Sequence, residues 1–150
     1  EVEVFHEKLR KSLLTEISIE HELLSNALEE LSFSKNFKFA LLEAFIAAEA
    51  VIEKVLKKLK RTKGISNNKL KEYKKEVSVS YKINIELKLV LDNLTEKELE
   101  VIQQVDLVRK KRNYVVHETE EVSFEEAILA INSVYDLIEM FEVRNLISAE

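Results

Sequence analysis

One glycine and no proline in 150 residues limit this chain more than any other feature. Average usage would supply roughly 18 of the two together. Tight hairpins, Rossmann turns, P-loops and EF-hand loops each need φ > 0 at a fixed position, which glycine adopts without strain. Sandwiches and barrels of many short strands are disfavoured for the same reason. The absence of cysteine removes disulfides, thiolate zinc sites and cysteine nucleophiles together. What remains is an all-α protein, an antiparallel bundle of about five helices joined by short connections. Charged residues are 34% and apolar ones 46%, the balance of an ordinary globular domain, and 23 basic against 28 acidic residues leave a net charge of −5.

One helical domain over residues 1–150 is expected, with a long N-terminal helix in residues 1–33 and the bundle proper in residues 35–147. Along the first helix, Val2, Phe5, Leu9, Leu13, Ile17, Leu24, Leu28 and Leu31 recur at three- and four-residue steps. Such a helix is long, and Ser18 is where it can break. A turn follows at Ser32-Phe33-Ser34-Lys35-Asn36, and a second helix spans about residues 35–62. Its segment 39–52 is apolar nearly all round, the mark of a central helix. Lysines then complement the negative end of the macrodipole, and Gly64 supplies a left-handed C-terminal residue. The third helix is expected from Ser66 or Asn67 to about Asn93. Val77, Val79, Tyr81, Ile83, Ile85, Leu87 and Leu89 alternate as in a strand, but no partner strand exists, so the segment is assigned to helix. Two capping boxes, Thr95-Glu-Lys-Glu98 and Ser123-Phe-Glu-Glu126, open the last helices. The fourth should end near Val116 and the fifth near Ile147.

No membrane span is expected, because the apolar run 39–52 is too short and carries Glu43 and Glu49. A cytoplasmic location is the corresponding expectation. The chain starts at Glu1 and its only methionine is Met140, so it reads as a piece of a longer protein with room for a fused domain.

Two residues stand out chemically. On the fourth helix Arg112 lies within about 20° of both Val101 and Val105, inside the apolar stripe of Val101, Val105, Val108 and Val115. A guanidinium there needs an ion-pair partner, such as Glu43 or Glu49, or a functional surface. His117 lies about 140° further round an ideal helix. If the helix ends near Val116, as the β-branched pair Val115-Val116 and the acids Glu118, Glu120 and Glu121 suggest, His117 is free to turn beside Arg112. A plain C-capping role is the alternative for that histidine.

The segment Arg112-Asn113-Tyr114-Val115-Val116-His117 resembles the Arg-x(4–6)-His signature of the HEPN superfamily, in which asparagine often follows the arginine. The resemblance extends over residues 35–147. It implies a metal-independent endoribonuclease that works as a homodimer through its motif-bearing face, with no cofactor and no metal. Arg112 and His117 would be catalytic and Asn113 supporting. The implied substrate is RNA, whose 2′-hydroxyl is its own nucleophile, so the enzyme need only move protons and stabilise the phosphorus centre. A defence or toxin-type setting, with an antitoxin as partner, follows from the same resemblance. In family toxins regulated by nucleotide transfer a tyrosine stands two residues beyond the histidine; here that position is Thr119. The alternative is a non-catalytic helical module for RNA or nucleotide binding, or for dimerisation.

RNA contacts are expected from Arg109, Lys110 and Lys111. A second cluster places ten basic residues between positions 54 and 75. His6 and His21 have no metal-ligand partner at helical spacing and read as core-edge residues, and Tyr73, Tyr81, Tyr114 and Tyr135 as packing residues.

Overall fold

The computed structural model describes residues 17–148, and these form an all-α bundle of six helices with no strand among them. The residues Val2, Phe5, Leu9, Leu13 and His6 lie outside the described part. Helix α1 starts at Ile19, after an extended Ser18, and the part of the expected first helix before residue 17 lies outside the described residues. The helix runs over Ile19–Glu29 and widens into a π turn, Glu30–Ser34, which ends at a left-handed Lys35. Of its expected stripe, Leu24 and Leu31 are buried, whereas Leu28 is exposed and Ala27 takes the inner position.

Helix α2, Phe37–Thr62, is capped by Asn36, whose side chain accepts the Phe39 N–H. It buries Ala40, Leu41, Ala44, Phe45, Ala47, Ala48, Val51, Ile52, Val55 and Leu56, and packs on α1 and on the last helix most extensively. Its end is a Schellman turn: Ile65 N–H bonds to the Lys60 carbonyl and Gly64 N–H to that of Arg61. Gly64, at φ 82°, is the left-handed residue expected there.

The single helix expected over residues 66–93 is instead two. Helix α3, Asn67–Glu76, stops because Val77 is extended, and Ser78 then caps the next helix by accepting the Tyr81 N–H. Helix α4 comprises Val79–Tyr81, a π turn at Lys82–Glu86, and Leu87–Val90. A β-branched residue followed by a serine that competes for backbone donors makes a natural break. The alternating apolar residues split between two faces: Ile83 and Leu87 are buried, while Ile85 and Leu89 face out. A strand would have set all four on one side.

Both capping boxes form, with Thr95 and Glu98 opening α5, Glu96–His117, and Ser123 and Glu126 opening α6, Phe124–Val143. The last helix ends four residues short of the expected Ile147, because Asn145 turns left-handed at φ 55° and completes a second Schellman turn to Phe141 and Glu142. Lys58 donates to the carbonyls of Asn145 and Leu146.

Arg144, just past α6, grips the start of α5. It makes a bidentate pair with Glu98 at 2.5 and 2.8 Å and donates to the carbonyls of Asp92 and Asn93. The Arg144 hydrogen bonds, aided by the Thr95 backbone N–H, outweigh burial and hold the Glu98 carboxyl at about 2. Stability from a depressed carboxyl is complete above its ordinary value of 4.5 and is lost as pH falls towards 2. Arg144→Ala should therefore cost about 1–3 kcal/mol at neutral pH and flatten the acid limb of a melting-temperature profile. Superimposable profiles for variant and parent would show that the clamp adds nothing. In the core, Ala48→Leu should cost about 1–3 kcal/mol by overpacking the α2 surface. Chemical denaturation with an unchanged midpoint would mean that α2 is not tightly sheathed.

Candidate functional site

Arg112, Asn113 and His117 stand on the last two turns of α5. The inward rotation of Arg112 follows from its place in the valine stripe, where Val105, Val108 and Val115 are all buried. The guanidinium does not reach the centre of the core. It lies half-buried with its carbon 5.7 Å from the Phe45 ring centroid, a cation–π contact with α2. One nitrogen donates to Asn113 Oδ1 at 3.1 Å.

Neither acid considered as a partner closes an ion pair with Arg112. Glu49, one turn along α2 from Phe45, feels its charge: burial raises the Glu49 carboxyl, opposed by Arg112 and then by Lys82. Glu43 instead faces α1, where burial and the charges of Glu30 and Glu29 raise it. Among the described residues Arg112 keeps a positive charge that no carboxylate neutralises directly, set on an aromatic face and held by an amide.

His117 is exposed and is the last residue of α5, so the helix ends close to the expected Val116 but does not free His117 to turn beside Arg112. Glu118 follows as its C-cap, and Thr119 is left-handed at φ 55°. The acids after His117 oppose the helix dipole, but their effect falls beyond the histidine. Arg112 and His117 consequently keep their helical separation of about 140°, and no hydrogen bond joins them. Asn113 connects the two in another way. It is four residues before His117, on the same face, while its side chain accepts from Arg112. Tyr114 and Val116 are exposed beside them.

The cations expected to contact RNA have protein partners. Arg109 bonds Asp106 at 2.7 Å, and Lys110 reaches the same carboxylate at 3.0 Å. Burial would raise the Asp106 carboxyl, but hydrogen bonds from Arg109, Asn84 and Lys110 prevail and hold it below its ordinary range. Lys111 bridges Glu120 at 2.6 Å and Glu126 at 2.9 Å, and those hydrogen bonds push its ammonium up. Asp106 was not foreseen in this role, although its spacing of three and four residues before Arg109 and Lys110 is a legible signal. Glu126 was foreseen only as half of a capping box.

Of the other candidates, His21 accepts or donates at Ser18 and faces Glu142 at 3.5 Å, tying α1 to α6. Tyr73 is covered by Lys60, whose Nζ lies 2.9 Å from the ring centroid. Six of the ten basic residues between positions 54 and 75 line a cleft between α2 and α3 that includes none of residues 109–112. Among the described residues no group of three or more His, Asp or Glu side chains could hold a metal ion, and no helix is long and apolar enough to cross a membrane. No family model, curated protein or solved structure matches the chain.

Proposed function

We propose that this chain is a HEPN-like, metal-independent endoribonuclease domain whose working site forms between two copies. The observation that carries the reading is the cluster on α5: a guanidinium without a carboxylate partner, bonded to Asn113, with an exposed His117 one turn above that asparagine. These side chains suit cleavage through the 2′-hydroxyl. A histidine takes the proton from that hydroxyl as its oxygen bonds to phosphorus, and a second gives a proton to the departing 5′-oxygen. An arginine holds the phosphate oxygens and stabilises the charge that builds on them.

Because Arg112 and His117 diverge on one helix, a single chain offers only half of such a site, and a second copy facing the α5 end would supply the complement. The exposed Tyr114 and Val116 give that face apolar area to bury. A defence or toxin-type role, restrained by an antitoxin or a fused domain, fits an enzyme that cuts RNA without metal or cofactor. A cytoplasmic setting suits a chain without cysteine.

A second reading has its own support. Arg109, Lys110 and Lys111 are all engaged with acids, and Arg112 packs on Phe45, so α5 can equally serve as a non-catalytic binding or dimerisation surface.

The two separate in one assay, the cleavage of mixed-sequence single-stranded RNA in EDTA at protein concentrations spanning self-association. The nuclease reading expects products with 2′,3′-cyclic phosphate ends and a loss of about 100-fold or more in His117→Ala, with the circular dichroism unchanged. Absence of cleavage by a folded, dimeric protein, or equal cleavage by the variant, rejects it in favour of the binding module.

A further inference from the structure

The cleft between the C-terminal half of α2 and helix α3 has a volume of about 380 Å³ and an unusual charge balance. Six cations line it, Lys54, Lys57, Lys60, Arg61, Lys71 and Lys74, against the single carboxylate of Glu53. Three of these seven charges are already matched: Lys54 by Glu20, Lys60 by Glu86, and Glu53 by Lys82. Lys57, Arg61, Lys71 and Lys74 meet no carboxylate within ion-pair distance among the described residues. Arg61 donates twice to the neutral Asn67 side chain, at 2.9 and 2.7 Å, which orients the guanidinium without cancelling its charge. Beside them, the buried Tyr73 hydroxyl has no hydrogen-bond partner.

Four unneutralised cations around one small cleft are out of keeping with a chain of net charge −5. On α5 the run of residues 109–111 has been neutralised by Asp106, Glu120 and Glu126. The cations without a carboxylate partner are thus found at the α2–α3 cleft, whose lining includes none of residues 109–112. The negative end of the α2 dipole lies nearby, but it amounts to only about half a charge, and the α3 N-terminus at Asn67 offsets it. The volume is at the small end of ligand pockets, which span roughly 300–1,000 Å³.

We infer that this cleft binds a linear triphosphate group, either inorganic triphosphate or the tail of a nucleotide. With about −1 on an inner phosphate and about −1.5 to −2 on a terminal one, a nucleotide's triphosphate tail carries roughly −3.5 to −4 and inorganic triphosphate, with two terminal groups, roughly −4 to −5, against four free cations. Recognition falls on the phosphates, because Tyr73 is the one aromatic ring lining the cleft and the Lys60 ammonium already sits over it. Arg61 supplies the planar fork suited to phosphate oxygens, and the lysines act as point charges. This site is independent of the ribonuclease reading and would stand if that reading fell.

Calorimetric titration of the full chain at low ionic strength tests it, with sodium triphosphate, ATP and adenosine as probes. Triphosphate and ATP should bind saturably and adenosine should not. ATP binding more tightly than triphosphate identifies a nucleotide as the natural source, and the reverse order an inorganic one; equal affinities assign all recognition to the phosphates. Lys57→Gln combined with Lys71→Gln should weaken both by at least about tenfold, through loss of two Coulomb contacts. Lys88→Gln, an exposed change on α4 outside the cleft, should leave binding unaltered. Three outcomes overturn the inference: no saturable binding up to millimolar triphosphate, adenosine binding as well as ATP, or undiminished binding by the folded double variant. A single-stranded oligonucleotide without terminal phosphates that displaces triphosphate at lower concentration would also overturn it, in favour of a nucleic-acid surface.

Discussion

Coverage of helix α2 is the constraint from which the rest of the bundle follows. Ten of its residues are buried, and they fill about half of its circumference, leaving Phe39 and Ile46 exposed on the other side. Each large side chain among them, such as Phe45, Ile52 or Leu56, is worth about 1.5–3 kcal/mol on removal from water, several times an exposed ion pair. Ala40, Ala44, Ala47 and Ala48 let neighbouring backbones approach closely while the larger residues fill the gaps. Helices α1 and α6 take the most extensive contacts, and α4 and α5 close the remaining side.

On that remaining side the covering is polar. Glu49 and Glu53, one turn apart on α2, face a seam that holds Arg112 from α5 and Lys82 from α4. Lys82 is only 3% exposed, so its charge depends on Glu53, and Glu86 on the same helix depends on Lys60. A buried charge without its partner is costly, which makes the seam more a determinant of how α4 is rotated than a net source of stability. With Lys82, Ile83, Glu86 and Leu87 turned inward, Ile85 and Leu89 are left outside. The same pairing pattern sets which surface charges stay open. It neutralises most of the α5 cations, spares Arg112, and leaves four charges open at the α2–α3 cleft.

Features governed by neighbours in sequence were legible. The capping boxes at Thr95 and Ser123 and the left-handed Gly64 each depend on a few adjacent residues, and each formed as the local pattern implied. The inward placement of Arg112 was legible too, because a 3.6-residue period is a property of the chain alone. The break at Val77–Ser78 and the stop at Asn145 were not, since neither a valine–serine pair nor a lone asparagine interrupts a helix reliably without tertiary contacts to favour the turn. The end of α5 fell within one residue of the expected Val116. That residue decides whether His117 joins Arg112 or stays on the helix.

By itself, the sequence determined an all-α chain, the starts of its last two helices, the central position of α2 and the presence of an arginine on a core-facing stripe. Those conclusions rest on glycine and proline content, side-chain periodicity and local capping, all of which act over a few residues. Only the tertiary structure decided which charges are cancelled and which remain. The partner of Lys54 is 34 positions away at Glu20, and Lys60 finds Glu86 from another helix. Coulomb pairing at such separations depends on how helices cross and rotate, and no local pattern carries that geometry.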